Sequence, residues 1–257
     1  MGDRPPEKAL DAPVGKRPGD DAERLIDRKA DVIIANKKGE TAAVIAARTC
    51  QADVLERLAK SGAPLAVAPS GVDSPLMRAA ENCDLPVLKV FQARKVAIDE
   101  KDADGHTALW RAADRANAAG VKALLAIGAT AAIADPLDET PLMRAIVRGA
   151  YDVAEILIPL SGNIDRQSRS GNTSLILAAK VGSSKIIASL LAAHCSPDLR
   201  NAQGYSALMI ATREGHSDVV KALIDAGANQ NLRNRNRETA RDIALASGQA
   251  SLADLLK

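Results

Sequence analysis

The residues of this 257-residue chain whose types could do chemistry are three histidines, three cysteines and a set of regularly spaced arginines. His106, His194 and His216 stand 88 and 22 positions apart, without the short spacings that present metal ligands together. No phosphate-cradling glycine loop occurs, no Cys or Ser has a persuasive His partner, and no carboxylate pair stands out for acid–base work. The expectation is a non-enzyme with no catalytic residue, metal, cofactor or small-molecule substrate. The arginines differ: Arg78, Arg111 and Arg144 recur every 33 positions, with Arg115 and Arg148 four residues beyond the last two. Guanidinium groups stacked on one face suit bidentate contacts to carboxylates. The competing reading is that Glu81 and Asp114, three residues along the same helices, neutralise them.

What positions those arginines is a repeat. Thr41, Ser74, Thr107, Thr140, Thr173, Ser206 and Thr239 are also 33 positions apart, without insertion. Each stands where a chain leaving a turn enters a helix, so its oxygen can accept from an orphan N–H. Pro75 and Pro141 follow directly, at the first helical position. Apolar residues then recur at helical spacing, as in Val219, Val220 and Leu223. Two short helices and a turn make one unit, too thin to bury its own apolar face, so units must stack.

The phrases SPLMRAA, TALWRAA, TPLMRAI, TSLILAA and SALMIAT, and the stretch from Asn201 to Asn231, resemble the ankyrin repeat. The resemblance runs from about Glu23 to Lys257. It implies an all-α solenoid of stacked helix-turn-helix units with protruding turns. The expected domains are a tail at 1–19 and a repeat domain at 20–257. The latter divides into a half repeat at 20–35, repeats at 36–68, 69–101, 102–134, 135–167, 168–200 and 201–233, and a polar capping repeat at 234–257. Where the family has His, three residues after the hydroxyl, this chain has Val44, Met77, Trp110, Met143, Ile176, Met209 and Asp242. Apolar filling should replace the polar ties. Lys95 and His194 stand where helices usually end on Gly, and Gly120 lies inside a helix, so these points are expected to be irregular or frayed.

By the same resemblance, the chain binds another protein along its groove and turn tips, as a scaffold. The tips are acidic in the middle (Asp73, Asp102, Asp104, Asp135, Asp138, Glu139) and basic later (Arg166, Arg169, Arg200, Arg233, Arg235, Arg237). A partner with an acidic segment fits the arginines. The candidate binding residues are Arg78, Arg111, Arg144, Arg115, Arg148, Trp110, Tyr205, Arg169, Arg200, Arg235 and Arg237. Trp110 and Tyr205 are the aromatic anchors, though Trp110 also suits filler between units. Phe91 matches a core position and is read as structural. An alternative reading is a permanent structural subunit of a cytoskeletal or axonemal assembly.

A net charge of +2 argues against generic nucleic-acid binding, and no membrane span is apparent. Cys50 and Cys83 occupy equivalent places in consecutive repeats. At a layer spacing of ~8–10 Å they should lie beyond the ~7 Å reach of a disulfide. Cys50, Cys83 and Cys195 are therefore expected as thiols in a cytoplasmic protein.

Overall fold

The computed structural model describes residues 32–66 and 73–256. The tail expected at 1–19, and the half repeat at 20–35 save its last four residues, lie outside the described residues. Among the described residues there are fourteen α-helices and no strand, so the chain is all-α. None of these helices is long and apolar enough to cross a membrane.

Two compact units divide the chain between Thr130 and Ala131. In the first, α1 (Ala42–Arg48) pairs with α2 (Ala52–Lys60), α3 (Pro75–Asn82) with α4 (Leu85–Ala93), and α5 (Ala108–Asp114) with α6 (Ala118–Ala126). In the second, α7 (Pro141–Val147) pairs with α8 (Tyr151–Leu157), and α9 (Ser174–Val181) with α10 (Ser184–Ala192). There α11 (Ala207–Glu214) pairs with α12 (Ser217–Asp225), and α13 (Ala240–Ala246) with α14 (Ala250–Leu255). Within each unit the first helices of the pairs stack in series, and so do the second helices.

Every first helix starts on one of the seven hydroxyls. Each side chain accepts the N–H of the third residue on, at 3.2 to 3.3 Å. Most of these hydroxyls are buried, so an unfilled N–H there would cost about 1 kcal/mol. The third residue on is itself core: Val44, Met77, Trp110, Met143, Ile176 and Met209 are all buried. Apolar filling has replaced the family's polar residue, as expected. Leu55, Leu88, Phe91 and Leu124 fill the first unit, and Leu142, Met143, Ile146 and Leu175 the second. Each such side chain contributes roughly 1.5–3 kcal/mol by leaving water. Phe91 is structural, as read from its position.

The expected irregularities did not arise. Lys95 and His194 adopt φ of 56° and 59°, the left-handed turn that Gly128 makes at the same offset, and their helices end normally. Gly120 does not fray α6. It is buried, and a Cβ there would lie 2.9 Å from the Cys83 carbonyl oxygen and collide with the Asn117 amide. Glycine is present because another repeat's backbone comes close.

Candidate functional site

Most described turns are built on an Asp or Asn five positions before the hydroxyl. Asp102 Oδ1 accepts the N–H groups of Asp104 and His106 at 3.0 and 2.8 Å. Asp135, Asn201 and Asn234 do the same in their own turns. In the second unit the turns are also tied edge to edge. Arg169 N donates to Leu137 O (2.9 Å), Ala202 N to Ser170 O (3.0 Å) and Arg235 N to Gln203 O (3.1 Å). Part of the acidic character read at the tips is thus turn architecture.

On the first unit, the arginines of the first helices meet these turns. Arg111 Nε and Nη2 donate to Asp102 Oδ2 at 2.8 and 2.7 Å, and Nη2 also reaches Asp73 at 3.2 Å and Asp104 at 3.5 Å. Arg78 lies 3.4 Å from Asp73 and 3.6 Å from Glu81, while Arg115 lies 3.8 Å from Glu81. Burial opposes the charge of Arg111. The hydrogen bond to Asp102, with the charges of Asp73, Asp102 and Glu81, outweighs it and holds the proton more firmly than in an ordinary arginine. Three guanidiniums face four carboxylates here, so the cationic groove expected from Arg78, Arg111 and Arg115 is neutralised. Glu81 comes from the same helices, and Asp73, Asp102 and Asp104 from the turns. Asp102, Asp104 and His106 bring ligand-type atoms within 4.8 Å of one another, yet Asp102 already holds Arg111 and two backbone N–H groups.

Trp110 is not an exposed anchor. It is buried, with the His106 ring stacked on it at a centroid distance of 3.7 Å. His106, on the turn of the same repeat, covers the indole that the sequence had offered to a partner.

On the second unit, Arg144 is half-buried on α7 and Arg148 is exposed at its C-terminal cap. Tyr205 is half-buried; the Arg213 guanidinium sits 5.1 Å above its ring while bonding Glu214. A cleft of about 230 Å³ opens beside Tyr205, between Leu177, Lys180 and Ile210. Along the turn edge, Arg166 and Arg169 face Asp138 at 3.2 and 3.9 Å. Arg200 Nη1 instead donates to the Arg233 carbonyl oxygen at 2.9 Å, and Arg233 Nη1 to that of Arg237 at 2.6 Å. Arg200, Arg235 and Arg237 are exposed and have no carboxylate within ion-pair reach among the described residues. Arg200 and Arg235 border a broad cleft of about 570 Å³ with Gln167, Asp198, Asn201 and Arg233.

Sequence reasoning missed Leu137. It is 55% exposed at a turn tip where the other turns carry Asp104, Ser170, Gln203 or Asn236. A large apolar side chain at that offset was the available signal.

Cys50 and Cys83 are joined in a disulfide, with Cα atoms 5.3 Å apart, against the expectation of two separate thiols. That expectation gave both residues one backbone conformation. Cys50 is left-handed (φ 57°), like Ala116 and Gly149 at its offset, whereas Cys83 caps α3 in an extended conformation (φ −100°, ψ 170°). The second turn therefore leans onto the first. The cysteine argument for a cytoplasmic location falls with this bond. Cys195 is a buried free thiol, and burial pushes its pKa up to about 11.

Stacked helix pairs, each opened by a hydroxyl cap and edged by tied turns, define a helical repeat protein. The family profile described as Ankyrin repeats (3 copies) matches residues 76–169 and 175–257, and the chain belongs to the ankyrin-repeat family. Such repeats generally mediate protein–protein interaction, typically without catalysis. No curated protein matches the chain.

Proposed function

We propose that this chain is a non-enzymatic scaffold whose second unit captures an acidic segment of a partner protein along its late turn tips. The seven helix pairs among the described residues are read as seven ankyrin units, preceded by a half unit. One contrast carries the reading. Arg78, Arg111 and Arg115 face carboxylates of their own unit, whereas Arg200, Arg235 and Arg237 are exposed with none in reach. A guanidinium without an internal carboxylate keeps its charge for a ligand. The tied turns hold the edge in place before binding, so little ordering entropy is lost on capture. Leu137 and Tyr205 add apolar and aromatic contact on the same unit.

The test uses the full chain and two fluorescein-labelled peptides, one glutamate-rich and one lysine-rich, read by anisotropy. The glutamate-rich peptide should bind more tightly and weaken as salt rises. Arg200→Glu with Arg235→Glu should lower its affinity about tenfold or more, with the melting temperature unchanged. Equal binding by wild type and double variant, or preference for the lysine-rich peptide, rejects the reading.

A further inference from the structure

We propose that the Cys50–Cys83 bond is an exchange site for a small-molecule thiol, with Cys50 the sulfur attacked and Cys83 the sulfur released. The two ends differ in access: Cys50 is exposed on a left-handed turn, and Cys83 is 2% exposed beneath it. An incoming thiolate reaches the Cys50 side first, and exchange depends on which sulfur can be approached.

The released end has a place prepared for it. Cys83 Sγ lies 3.0 Å from the Ala47 carbonyl oxygen, so once reduced its S–H can donate there. Other pairs use a hydrogen bond at this level. Asn117 Nδ2 donates to Ala80 O at 3.1 Å and to Cys83 O at 2.9 Å, and His216 Nε2 lies 3.2 Å from Lys180 O. Reduction converts a covalent rung between the first two helix pairs into the hydrogen-bonded rung found elsewhere. Because Ala43, Ala47, Ala79 and Ala80 remain packed around it, the fold persists while the first pair is held less firmly.

The exchange balances. A thiolate RS⁻ attacks Cys50 Sγ, the protein S–S bond breaks, and its electron pair leaves on Cys83 Sγ, which takes a proton. A second thiol attacks the outer sulfur of the RS–Cys50 mixed disulfide and releases the Cys50 thiol with RSSR. Two RSH are oxidised to one RSSR as the protein disulfide is reduced to two thiols; RSSR drives the reverse.

The probe is glutathione. The folded full chain is equilibrated with reduced and oxidised glutathione, quenched in acid and mapped by mass spectrometry. In wild type, glutathione should appear on Cys50 and not on Cys83. In Cys83→Ser, oxidised glutathione should halt at one adduct on Cys50. In Cys50→Ser, Cys83 should react about tenfold more slowly or less. On reduction of wild type, amide exchange should rise in α1 and α2 and stay unchanged in α9 to α12, with helical circular dichroism retained. Comparable labelling of Cys83 in Cys50→Ser overturns the proposal. So does a wild-type bond that resists glutathione until urea unfolds the chain, or no change in α1 and α2 exchange on reduction.

Discussion

Arg111 Nη2 lies 2.7 Å from Asp102 Oδ2 on its own turn and 3.2 Å from Asp73 Oδ1 on the turn before. One guanidinium thus ties two consecutive repeats through carboxylates that are mostly withdrawn from water. The acids that the turns bring near make this arginine a structural tie.

Removing that tie should cost stability before it costs binding. Arg111→Ala leaves Asp102, Asp73 and the buried Glu81 short of positive charge, and we expect a loss of about 1–3 kcal/mol. Arg115→Ala should cost under about 0.5 kcal/mol, since that side chain is mostly in solvent and lies 3.8 Å from Glu81. Urea unfolding of both variants checks this; equal losses would mean that burial does not set the ranking.

Gly120→Ala sets two effects against each other. Helix propensity favours alanine by about 1 kcal/mol. The new methyl group would displace Asn117, whose side chain donates to Ala80 O and Cys83 O and accepts from Gly120 N at 3.0 Å. Losing two or three such bonds at roughly 0.5–1.5 kcal/mol each should win, leaving the variant about 1–3 kcal/mol less stable. A raised melting temperature would contradict the close-approach explanation.

The final helix pair should loosen in acid. The Thr239 backbone N–H and hydroxyl donate to Asp242 Oδ2 at 2.9 and 2.8 Å, and these bonds hold the Asp242 carboxyl below its ordinary value of 3.8. A carboxyl depressed in the folded state contributes stability that is present above its unfolded pKa and lost as pH falls through the folded one. Amide protection in α13, taken relative to the intrinsic exchange rate at each pH, should therefore fall as pH drops below 3.8, and Asp242→Asn should remove that pH dependence. An unchanged acid profile in the variant would assign the effect to another group.

Much of the fold was legible because the interactions that set it are local. A hydroxyl caps an N–H three residues on within one turn, so seven of them at one period announce seven first helices. The aspartates and asparagines five positions before them were equally legible, since Asp102, Asp135, Asn201 and Asn234 bond backbone two and four residues away. Other outcomes lay beyond that range. One of the acids that neutralise Arg111, Asp73, is 38 residues distant, and the carbonyl oxygen that fixes Gly120 belongs to Cys83. The Cys50–Cys83 bond depended on two different backbone conformations at one repeat offset. Residue type and period determined which side chains recur. Which of them are consumed and which face solvent was decided by packing, because Coulomb and covalent contacts depend on ångström-scale approach between repeats that a linear spacing does not specify.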